Sequence, residues 1–133
     1  MRHRATYFSR LEDMPEPIQA DFRERVGRVA APDEAFNPGD VIYTDDPTPE
    51  RRFLRGLRSG DYWFVWYEHG GFAFHRHVLA YSIRINGNAY VSGEPHRAQP
   101  GDRVETTLAA NLTGDPCIAT DAILDGVFET EEF

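Results

Sequence analysis

The chain has 133 residues and a formal net charge of −8, and every basic side chain apart from five histidines is arginine. That length predicts a single domain, 1–133, with its own core, and the negative balance opposes nucleic acid and anionic membranes as general partners. A lone cysteine, Cys117, excludes an intrachain disulfide or a thiolate metal site, and no apolar run reaches the roughly 18 residues of a membrane span.

The first residues, MRHRATYFSRLEDMPEP, contain arginines but no apolar stretch of the kind that targets a chain for export, so the cytoplasm is the expected location. Arg2, Arg4 and Arg10 flank Tyr7 and Phe8, which fits a frayed terminus or a short strand at a sheet edge, or, in the sharper reading, an arm that grips RNA or DNA. Residues 15–30 predict a first helix. Asp13 and Glu16 have capping-box spacing, and Ile18, Phe22, Val26 and Val29 recur at helical intervals as one apolar stripe. Glu24 and Arg28 make a favourable i,i+4 pair in that reading. Pro32 ends it. Asn37 to Asp40 is a turn, and Val41 to Tyr43 a short strand. Thr48 as N-cap and Pro49 at the first helical position open a second helix to about Ser59. Its arginines 51, 52, 55 and 58 are a solvated face or, in the sharper reading, a phosphate or acidic-partner site that includes Arg51 and Arg55.

The stretch from Asp61 to Ile85 holds both tryptophans and three of the five histidines. It predicts a β-hairpin with Gly70-Gly71 at the turn. A two-residue loop pairs Trp66 with His75 and Phe64 with His77. It places Tyr62, Phe64, Trp66 and Glu68 on one face with His75, His77 and Leu79, and turns His69 to the other. A loop of a different length would exchange these faces, because side chains alternate with a period of two. Asn86-Gly87 is a second tight turn, leading into a short strand from Asn88. Residues 92–101 are a loop. From Asp102 to Leu112, alternation of Val104, Thr106, Leu108 and Ala110 with polar neighbours predicts a half-buried strand. Residues 117–128 fit either a strand or a helix, with the strand favoured by their threonine and isoleucine and by Gly126. The resulting fold class is α+β: an antiparallel sheet of four to six strands built on the 61–85 hairpin, two helices in the N-terminal half, and a partly open barrel as a variant.

His75 and His77 lie two apart on one strand, so their imidazoles leave the same face, about 6 to 7 Å apart. With Glu68 beside them they form an acid–base group, and neutral histidine next to a carboxylate acts as a base near neutral pH. With Glu94 and His96 folding back from the loop, they become a site for Zn²⁺, Mn²⁺ or Fe²⁺. Trp66, Phe64 and Tyr81 wall the pocket. The Pro-Gly-Asp turns at 38–40 and 100–102, with the His-x-His pair, resemble elements of cupin barrels. There a glutamate follows the pair closely, whereas here His77 is followed by Val-Leu-Ala-Tyr and the next carboxylate is Glu94. The family is therefore not assigned.

Against these stands packing, since histidines among aromatics are common in sheets. The expectation is a non-catalytic protein-binding or small-ligand-binding module that needs no cofactor. Its partner surface, or its own self-association, would use the aromatic hairpin. The alternatives are a small metal-dependent or histidine-based enzyme acting through His75 and His77, and an RNA-binding module, which the negative charge around the hairpin disfavours.

Overall fold

The computed structural model describes residues 1–34, 36, 49–70, 75–85, 88–89, 103–112 and 114–126. In chain order the elements are β1 (Thr6–Phe8), a 3-10 turn (Leu11–Asp13), α1 (Glu16–Val26), β2 (Arg51–Ser59), β3 (Tyr62–His69), β4 (His75–Ile85), β5 (Asn88–Ala89), β6 (Arg103–Leu112) and α2 (Pro116–Leu124). All six strands join one sheet. It runs β1-β2-β3-β4, with β6 on β4 and β5 returning along the end of β4, every pair antiparallel. The fold is thus α+β on the expected hairpin. Among the described residues the pairing path does not close on itself, so the barrel variant is not seen.

The hairpin is apolar on both faces because it is covered on both. On one face, α1 sets Ile18, Phe22 and Val26 against Phe53, Trp63, Val65, Tyr67, Leu79, Tyr81 and Ile83. On the other, α2 sets Ala119 and Ile123 against Leu57, Phe64, Trp66, Val78 and Ala80. Each fully buried side chain of the Phe, Leu or Ile class stabilises the fold by about 1.5–3 kcal/mol.

Helix α1 keeps the expected stripe but is shorter than 15–30. Asp13 closes the 3-10 turn instead of capping, Pro15 takes the N-cap position without a side-chain bond, and Gly27 stops the helix at φ +84°. Arg28 therefore lies beyond the helix, and the intrahelical pair is Asp21 with Arg25, at 3.2 Å.

Two elements differ in kind from the sequence reading. Residues 51–59 are a strand, not a helix. Arginine and leucine are good helix formers, but Gly56 would weaken a helix interior by about 1 kcal/mol. Pairing with the hairpin and with β1 outweighs local propensity. Ser59 pairs with Tyr62 around a two-residue turn at Gly60-Asp61, with Gly60 at φ +59°, so β2 and β3 are themselves a hairpin. Residues 116–124 are a helix, not a strand. The Asp115 carboxylate accepts a hydrogen bond from the Cys117 N–H at 2.9 Å, Pro116 occupies the first turn, and Gly126 lies past the end at φ +73°. The second helix is thus C-terminal. The expected turn at 37–40, strand at 41–43 and loop at 92–101 lie outside the described residues.

Candidate functional site

The register of β3 on β4 decides which side chains meet. His69 pairs with His75, Tyr67 with His77, Trp66 with Val78, and Glu68 with Arg76. The loop is therefore longer than Gly70-Gly71. Gly70 is not a turn residue: its N–H donates to the Glu50 carbonyl at 2.8 Å and extends the β2–β3 ladder. The three-residue difference in register exchanges the two faces of β4 relative to β3. His77 joins Tyr67, not Phe64, and His69 joins the histidine face instead of leaving it.

Glu68 is consequently not beside His75 and His77. It lies on the α2 face, 5% exposed, where Arg52 holds it through Nε and Nη2 at 2.9 and 2.7 Å from the same carboxylate oxygen. A carboxylate engaged in this way is a structural partner, not a free base. Trp66 is on that face too, its indole N–H donating to Thr120 Oγ1 at 2.9 Å, and Phe64 packs beneath α2. Neither walls a histidine pocket. Tyr81 does share the histidine face, fully buried under α1. Burial, reinforced by the nearby Asp21 carboxylate, pushes its hydroxyl well above the usual tyrosine range. Burial does the same to Tyr67. Both stay neutral and serve as packing.

The arginines divide as well. A register shift between Phe53 and Arg55 marks a β-bulge. Arg51 pairs with His69 and belongs to the histidine face. Arg55 pairs with Trp66 on the other, exposed and 5.3 Å from the Tyr7 ring centre. They do not converge on one anion. Glu94 and His96 lie outside the described residues. Cys117 is half-buried, and burial with Asp115 beside it pushes its thiol up, away from nucleophilic use.

On the histidine face His77 is 9% exposed and stacks on Tyr67, with ring centres 4.8 Å apart and planes 10° from parallel. The His69 ring centre is 5.8 Å from that of His77. His75 belongs to this face by its backbone register. Among the described residues no three His, Cys, Asp or Glu side chains gather as a metal-binding group.

A second feature has no forerunner in the sequence reading. Between the 3-10 turn, the end of α1 and the edge of β2 lies a groove of about 510 Å³. Ala30 builds its floor by bridging to β2: its N–H donates to the Arg51 carbonyl at 2.8 Å and its carbonyl accepts from the Phe53 N–H at 2.9 Å. Leu11, Val29, Pro32 and Phe53 add apolar surface, and Glu12, Arg23, Arg28 and Glu34 form the rim. Arg23 is engaged by Glu12 at 3.4 Å and by Gln19 at 3.3 Å, and Glu34 accepts from the Ala31 N–H at 3.0 Å. Arg28 is exposed and has no ion-pair partner among the described residues. Val29 belongs to the apolar stripe of the first helix and Phe53 falls within the expected helix that ends at about Ser59, so nothing in the local pattern points to a cavity between them.

No protein-family model matches the chain, and neither a curated protein nor a solved structure matches it. No helix among the described residues is long and apolar enough to cross a membrane.

Proposed function

We propose that the protein is a non-catalytic small-ligand-binding module, and that its ligand is a small amphipathic organic anion seated in the groove beside α1. The observation that carries this reading is the composition of the groove: an apolar floor of ordinary ligand size beneath a rim whose one uncommitted cation is, among the described residues, Arg28. Small-molecule sites are mostly apolar concavities of about 300–1,000 Å³ with a few placed polar groups. Arg23, Glu12 and Glu34 are already engaged, which leaves Arg28 to meet a carboxylate or phosphate while the floor takes the apolar body.

The alternative, a protein partner or second copy on the aromatic hairpin, has less to draw on. The helices of the chain itself cover both faces, and Tyr62 is the one aromatic of β3 that stays exposed, at 37%.

The test is a titration of isotope-labelled protein with medium-chain and aryl carboxylates, followed by amide chemical shifts. The expected outcome is saturable shifts at Leu11, Val29, Ala30 and Phe53. Arg28→Gln should weaken binding about tenfold or more, since a hydrogen bond to a charged group contributes about 1.5–3 kcal/mol. Ala31→Trp, which fills the groove, should abolish it. Shifts that are absent, or that survive unchanged in Ala31→Trp, would refute the reading.

A further inference from the structure

We infer that Arg4 and Arg58, with Thr6, form a binding site for the phosphate group of a small polar phosphomonoester, in a recess beside the β2–β3 turn. The site lies toward the opposite end of β2 from the groove and does not depend on it.

The recess has a volume of about 300 Å³ and is lined by Arg4, Ala5, Thr6, Arg58 and Gly60. Two segments distant in the chain build it. Thr6 stands directly opposite Arg58 in the β1–β2 pair, so both side chains leave the same face of the sheet. Ser59 Oγ donates to the Arg4 carbonyl at 2.6 Å, which ties the backbone at Arg4 to the end of β2. Gly60, at φ +59°, turns the chain into β3 and adds no side chain to the recess. On the β3 side Arg58 stands opposite Trp63, with its guanidinium carbon 5.9 Å from the ring centre. The indole quadrupole attracts that cation and restrains it, while the N–H groups of the guanidinium stay in its plane, able to donate.

The charges point to the ligand. Of the three arginines in the first ten residues, Arg2 is bonded to Asp125 and Arg10 to Asp33. Arg4 and Arg58 have no carboxylate partner among the described residues, and no residue lining the recess is acidic. Asp61, next to Gly60, pairs with neither. Two guanidinium groups on one recess repel each other, and an anion between them replaces that repulsion with two attractions. The planar fork of arginine matches phosphate oxygens two at a time, and a dianion answers both charges. Thr6 adds a hydroxyl. The volume is at the low end of the range for small-molecule sites, about 300–1,000 Å³. Ala5 is the one apolar side chain in the lining. The recess therefore suits a compact polar body, such as a short polyol, and not the apolar body that the groove takes.

The experiment titrates isotope-labelled protein with inorganic phosphate and, separately, with glycerol phosphate. Each is compared with sodium chloride at equal ionic strength, and amide chemical shifts are followed. The expected result is saturable shifts at Thr6, Arg58 and Gly60 with both, with glycerol phosphate bound at least as tightly as inorganic phosphate. Either should raise the thermal midpoint above that in chloride, because a ligand of the folded state stabilises it. Arg4 is exposed, so Arg4→Gln should leave far-UV circular dichroism unchanged while weakening binding about tenfold. Arg4→Glu should abolish binding. Arg58→Gln should match Arg4→Gln, and because it also removes the contact with Trp63, the two Arg4 variants carry the test if it fails to fold. Arg28→Gln, at the groove, should bind glycerol phosphate like the wild type, so the two sites stand or fall separately. Shifts that do not saturate, that chloride reproduces, that are confined to Leu11 and Ala30, or that survive unchanged in Arg4→Glu overturn the inference. So does binding of inorganic phosphate without binding of glycerol phosphate.

Discussion

Gly56 lies where β2 passes beneath Met14. A Cβ on Gly56 would stand 2.3 Å from Met14 Sδ, well inside van der Waals contact, and Met14 is fully buried. The missing side chain lets the 3-10 turn settle onto the sheet. Gly56→Ala should therefore destabilise the protein by about 1–3 kcal/mol, the usual range for overpacking a core. In a Met14→Ala background the added cost of Gly56→Ala should fall close to zero, because the clashing atoms are gone. Denaturant unfolding of the four proteins in this cycle measures the coupling, and an equal cost in both backgrounds would contradict the close approach. In the sequence Gly56 weakens a helix at 51–59, a signal that the expected helix to Ser59 passes over. The arginines and leucines around it conceal the strand, because good helix formers are also tolerated in strands that pack.

Helix α2 depends on its first turn. Asp115 satisfies the Cys117 N–H, and Pro116 needs no partner there because it has no N–H to satisfy. Asp115→Ala should cost about 1 kcal/mol, read as a lower denaturant midpoint with unchanged slope. Loss of under a few tenths would mean that packing of Ala119 and Ile123 alone holds the helix. Asp-Pro ahead of an apolar segment was a helix-start signal, and Gly126 past the end was a stop signal. Read as lying inside the element, Gly126 instead argued against a helix. The hairpin β3–β4 shows the converse. Its existence follows from two apolar runs around glycine, but its register does not, because Gly70 bonds to the Glu50 carbonyl of the segment entering β2.

The N-terminal segment is tied to helix α2 and to Asp125 just past its end. The backbone N–H groups of Arg2 and His3 donate to Asp121 at 2.8 and 3.2 Å, the His3 ring meets Asp125 at 2.8 Å, and Arg2 pairs with Asp125 as well. The His3 and Arg2 side chains hold Asp125 below the usual carboxylate range, and the Arg2 and His3 backbone amides do the same for Asp121. For a carboxyl group whose folded pKa is depressed, the stabilisation is present above the unfolded value, about 3.9, and is lost as pH falls through the folded one. Thermal midpoints should therefore show an added drop below about pH 4 in the wild type. That added drop should shrink in Asp125→Asn, and identical acid profiles for the two proteins would contradict the clasp. The clasp also holds β1 at the sheet edge, where Ser59 Oγ donates to the Arg4 carbonyl at 2.6 Å.

Some features follow from the sequence alone, because short-range periodicity sets them. The strand at 103–112 alternates, α1 carries an apolar stripe, and the hairpin at 62–85 has two apolar faces that require cover on both sides. His75 and His77 share a face on any strand reading. What only the tertiary structure decided is everything that passes between segments distant in the chain. Shifting the pairing of two strands by an odd number of residues exchanges the face of every side chain on one relative to the other, at no change in local pattern. The β2 ladder, which draws Glu50 and Gly70 together, settles that choice. It is why Glu68 ends beside Arg52 and His69 beside His77, and why the groove at Ala30 and Phe53 forms between segments that had each looked helical.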